Sequence, residues 1–118
     1  MARRKIPVTD GLTALRAFQA GDQGSKATAV RFLLEELAER IPGNSVEVRV
    51  PPYMAVQCVP GPDHRRGTPP NVVELDAQTF IALATGGMAL ADAIAAGKLN
   101  TSGTRATEFA AVLPLIRD

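Results

Sequence analysis

At 118 residues the chain fits a single domain, and a chain of this size buries roughly two thirds of its extended surface. Hydrophobic residues make up 46% but aromatics only 4%, with no Trp, so the expected core is aliphatic, built from Val, Leu and Ala. Thirteen basic against twelve acidic residues leave a net charge of +1, which gives no general attraction for nucleic acid or for an anionic membrane surface.

The chain begins with a polar stretch over residues 1–9. Asp10 reads as the cap of a short helix carrying Leu12, Leu15 and Phe18, with Gly21 at its end. The glycines around Asp22 and Gln23 read as a linker, so residues 1–24 are expected to form an extension with a short helix and residues 25–118 the main domain.

The strongest helical pattern follows. Val30, Leu33, Leu34, Leu37, Ala38 and Ile41 repeat at helical spacing and share one face. Arg31 with Glu35 and Glu36 with Arg40 read as i,i+4 pairs on the wet side, and Pro42-Gly43 stops the helix.

The period then changes to two. Val46, Val48 and Val50 alternate with Glu47 and Arg49, as in a half-buried strand. Pro51-Pro52 cannot donate ladder hydrogen bonds and marks a turn. Tyr53 to Val59 alternates again, with Met54, Val56 and Cys58 on one side, so the two runs read as an antiparallel hairpin. Pro60 to Pro70 is a loop of Pro, Gly and charge, and Asn71 to Leu75 a third strand.

Asp76 is placed to cap a small helix over Asp76–Thr85, ended by Gly86-Gly87. A second small helix runs from Met88 to Ala96, ended by Gly97. Gly97–Thr101 reads as a strand closed by Gly103, and Thr104 as the cap of a last helix with Phe109, Val112 and Leu113 along its apolar stripe, disturbed by Pro114. Segregated helices and strands in this order predict an α+β fold. The expected architecture is one layer of mostly antiparallel sheet, about four to five strands, covered by helices.

Candidate chemistry is sparse. Cys58 is the one cysteine and His64 the one histidine, so neither an internal disulfide nor a multi-histidine metal site can form. Cys58 sits within an apolar alternation and reads as a small buried hydrophobe rather than a nucleophile. Cys58, Asp63 and His64 lack the clustered spacing of a zinc site. No phosphate-binding glycine loop and no Gly-x-Ser-x-Gly elbow is present. The residues therefore predict no catalytic set, no metal and no cofactor. The unpaired cysteine fits a reducing compartment, and no run approaches the ~20 apolar residues of a membrane helix. A soluble cytoplasmic protein is the expectation.

The polar segment Asp63-His64-Arg65-Arg66-Gly67-Thr68-Pro69-Pro70-Asn71 has two readings. Adjacent guanidiniums on a proline-stiffened loop suit a carboxylate or phosphate head group. Equally, Glu47, Glu74 and Asp63 can neutralise Arg49, Arg65 and Arg66 as a local ion-pair network.

Residues 71–113 resemble the C-terminal half of the sterol carrier protein superfamily. The resemblance rests on Val72–Leu75 leading into two small helices (Asp76–Thr85 and Met88–Ala96), then a Gly97-Lys98-Leu99 strand, the Gly103 turn and a final helix. The runs Pro42-Gly-Asn-Ser-Val-Glu-Val-Arg-Val-Pro-Pro52 and Arg66-Gly-Thr-Pro-Pro-Asn71 resemble an actinobacterial-type branch of bacterial sterol carrier family proteins. The resemblance implies a non-enzymatic carrier that holds a lipid, such as a fatty acyl chain or a sterol, in an apolar tunnel between sheet and helices. The tail would lie among Met54, Val56, Phe80, Leu83, Ile94, Phe109 and Val112, with Arg65 or Arg66 meeting an acidic head group.

The Ala-rich small helices leave a second reading open: an interaction module, as a homodimer or as an accessory to a thiol-dependent enzyme, that kept the fold without the ligand. Neither reading involves nucleic acid or an integral membrane segment.

Overall fold

A computed structural model describes residues 6–61 and 69–117. The sequence folds as α1 (Val8–Gln19), α2 (Lys26–Arg40), β1 (Val46–Val50), β2 (Met54–Cys58), β3 (Asn71–Glu74), α3 (Ala77–Thr85), α4 (Leu90–Ala95), β4 (Asn100–Ser102) and a C-terminal 3₁₀ helix (Ala106–Val112).

Helix α1 starts earlier than Asp10. Pro7 stands at its N-cap position, and the Pro7 carbonyl accepts from the Gly11 N–H at 2.9 Å, closing the first turn. Proline suits a helix start because its fixed φ is already near the helical value and its missing N–H would find no partner there. Asp10 lies inside the first turn, where its carboxylate faces the positive end of the helix dipole. The stretch read as a linker is a capped turn: Asp22 Oδ1 accepts from the Gly24 N–H at 3.0 Å and Oδ2 from the Ser25 hydroxyl at 2.8 Å.

Helix α2 is the centre of the molecule. Val30, Leu33, Leu34, Leu37 and Ala38 are buried on one face, as the spacing predicts. A second face, Ala29, Phe32 and Glu35, is buried as well, because α1 packs against it. This corrects the expected Arg31–Glu35 pair on the wet side. Glu35 is only 7% exposed, and its Oε1 accepts from the Ile6 N–H at 3.1 Å. The other expected pair forms, with Arg40 Nε 2.7 Å from Glu36 Oε2.

Among the described residues, four strands lie in the order β2-β1-β3-β4. β1 and β2 form the expected antiparallel hairpin, with Val46 opposite Cys58, Val48 opposite Val56 and Val50 opposite Met54. β3 pairs antiparallel with β4. β1 and β3 run parallel, with Val46 beside Asn71 and Val48 beside Val73, so the sheet is mixed. The chain leaves β2 beside the start of β1 and re-enters as β3 on the other side of β1, which makes the central pairing parallel.

The valines of β1 face the helices, while Glu47 and Arg49 face outward and pair with each other at 2.5 Å (Nε to Oε2). Helix α2 packs over β2, and the C-terminal 3₁₀ helix over β1 and β3. One continuous apolar core runs from Leu15 on α1 through α2 and the sheet to Phe80, Phe109 and Leu115.

The C-terminal third keeps the predicted order with shifted boundaries. Asp76 caps α3, its Oδ1 accepting from the Thr79 N–H at 2.9 Å, and Gly86 ends the helix in the left-handed conformation (φ 82°). α4 begins at Leu90 rather than Met88, because the Gly87 and Met88 N–H groups both return to the Ala82 carbonyl. β4 is shorter than expected, since Gly97 is left-handed and the Lys98 N–H closes the end of α4 on the Ala93 carbonyl. The last helix is of the 3₁₀ type and starts at Ala106, not from a Thr104 cap, because the Arg105 N–H is already committed to Asn71 Oδ1 at 3.0 Å. Beyond Pro114, the Leu115 and Ile116 N–H groups dock on the Ala84 carbonyl at 2.7 and 3.1 Å, filling an acceptor that the end of α3 leaves open.

Candidate functional site

The residues expected to line a ligand site fall into separate environments. Val56 on β2, Phe80 and Leu83 on α3 and Phe109 on the 3₁₀ helix are all buried in the one core. Their burial follows from the Ala-rich helices: Ala77, Ala84 and Ala93 are themselves buried, and small side chains let the helices approach closely. Val112 is partly buried against that core. Ile94 is 51% exposed on the outer side of α4 and does not join the others. Met54 is partly buried at the start of β2. Arg65 and Arg66, with Asp63 and His64, lie outside the described residues.

Met54 lines an open groove of about 360 Å³ at the β1–β2 turn, shared with Pro51, Pro52 and Tyr53 and flanked by Arg49 and Glu74. A larger open groove, about 520 Å³, lies where the end of α2, the end of β2, α4 and the 3₁₀ helix meet. Ile41, Val59, Leu90, Ala110 and Ala111 give it an apolar lining, and Pro60, Arg105, Thr107 and Glu108 complete it.

The larger groove is held by two local devices. The first is Val59, whose φ of 71° is left-handed, an uncommon conformation for a β-branched residue. It is held there by hydrogen bonds on both sides: its N–H donates to the Ile41 carbonyl at 2.7 Å and its carbonyl accepts from the Ser45 N–H at 3.1 Å. Gly43 lies directly against the Val59 carbonyl, where no Cβ fits.

The second device is Arg105. Its Nε and Nη2 donate to the two carboxylate oxygens of Glu108 at 3.0 and 2.8 Å, and Nη2 also donates to the Pro60 carbonyl at 2.8 Å. The bidentate pair holds the Glu108 carboxyl below its usual range and raises the Arg105 guanidinium. Beneath it, buried Asn71 donates from Nδ2 to the Ser45 carbonyl at 2.9 Å and accepts the Arg105 N–H. The end of β2, the start of β3 and the 3₁₀ helix are thereby locked together.

Among the described residues, none that lines this groove was a candidate in the sequence. The Arg105-x-x-Glu108 spacing was legible as an i,i+3 pair. The left-handed Val59 and the convergence of Ile41, Leu90 and Ala111 were not, since they come from four separate elements.

Cys58 is fully buried, as its place in an apolar alternation predicts, and burial pushes its thiol up to about 12. Among the described residues, no three His, Cys, Asp or Glu side chains gather closely enough to hold a metal ion. No helix among them is long and apolar enough to cross a membrane.

Compared with protein families, the chain matches the model described as bacterial SCP ortholog over residues 22–115, most of its length. A comparison with curated proteins returns no match.

Proposed function

The chain belongs to the family of bacterial SCP orthologs, a sterol carrier protein-like family, and from that premise we propose that it is a non-enzymatic binding protein for a small lipid or other apolar ligand. The observation that carries the reading is the extent of the family match, which takes in the whole sheet and every helix except α1. The chemistry of the described residues agrees with it. The thiol of Cys58 is buried and protonated at neutral pH, and the charged pairs Arg49–Glu47 and Arg105–Glu108 are engaged with each other. The open apolar groove offers a place for a ligand, of a volume within the ~300–1,000 Å³ usual for small-molecule sites.

A second reading has its own observation. Phe80, Leu83 and Phe109 fill the space between sheet and helices where a carrier tunnel would run. That favours a module of the same fold that binds a protein, or a second copy of itself, in place of a lipid. Native mass spectrometry of protein purified from its own host separates the two. A carrier retains a co-purified small molecule and takes up the uncharged apolar dye Nile red saturably. An interaction module arrives without a small molecule, takes up no dye, and sediments as a dimer or as a complex.

A further inference from the structure

We draw no further inference here: the strongest candidate, the open groove at the β1–β2 turn between Tyr53, Met54 and Glu74, is a mostly apolar surface, and nothing in the structure shows what covers it.

Discussion

The ring of Phe32 on α2 lies directly over Gly11 on α1, so close that a Cβ at Gly11 would fall within the ring atoms. The Phe32 ring therefore packs straight onto the α1 backbone with no opposing side chain at Gly11, and Leu15, one turn further along α1, is fully buried. Gly→Ala in a helix ordinarily stabilises by about 1 kcal/mol. Here the sign reverses. Gly11→Ala is expected to destabilise by about 1–3 kcal/mol through overpacking, measured by urea unfolding. Combined with Phe32→Leu, its penalty shrinks, since the smaller side chain gives it room, and a strictly additive double variant would contradict the contact.

Asn71 carries the joint between β1, β3 and the 3₁₀ helix. It is buried, and its amide satisfies the Ser45 carbonyl and the Arg105 N–H at once. Asn71→Ala leaves both backbone groups without their partner and is expected to cost about 1–3 kcal/mol for each one that water cannot reach. Asn71→Asp keeps the acceptor and loses the donor, so its loss should be led by the buried Ser45 carbonyl left without that donor and by burial of a new charge. Thermal melts of the two variants, with the wild type, check this. Equal stability of Asn71→Ala and wild type would mean that the joint is held by other contacts.

Asp76 gives α3 a pH signature. Hydrogen bonds from Thr79 are the main cause holding its carboxyl below the usual value. A folded-state value below the unfolded one contributes stability that is present above the ordinary carboxylate range and is lost as pH falls through the folded value. Asp76→Ala is expected to cost about 0.5–2 kcal/mol at neutral pH. The difference between wild type and Asp76→Asn should narrow as the solution is acidified. Unfolding curves at neutral pH and at acid pH read both effects, and a gap that widens in acid has the wrong sign for a capping carboxylate.

Cys58 has the opposite dependence. Burial raises its thiol from an ordinary value of 9.0 to about 12, so the unfolded chain releases the proton first. Its contribution to stability is whole below about pH 9 and declines as pH rises from there toward the folded value. Native protein at pH 8 is expected to resist iodoacetamide and to react stoichiometrically once unfolded in urea. Cys58→Ala should flatten the alkaline decline. Fast alkylation of the folded protein would place the thiol at the surface, against the register that sets it opposite Val46.

Periodicity alone determined much of this protein. The alternation of Val46, Val48 and Val50, and the helical spacing from Val30 to Ala38, are local properties that state which side of an element avoids water, and the core obeys them. The Asp76 cap and the glycine stops were legible for the same reason, since a side chain reaching a neighbouring N–H, or a left-handed turn, involves only a few adjacent residues. What tertiary structure decided were the features that need distant segments to meet. A single amphipathic stripe does not reveal that α2 has a second buried face, because Ala29, Phe32 and Glu35 are covered only once α1 folds onto them. The parallel pairing of β1 with β3 depends on where the loop after β2 returns, which no strand pattern encodes. The groove has no sequence of its own: its walls come from α2, β2, α4 and the 3₁₀ helix, brought together by burial of the core beneath them and by hydrogen bonds from Arg105 and Val59 that span the chain.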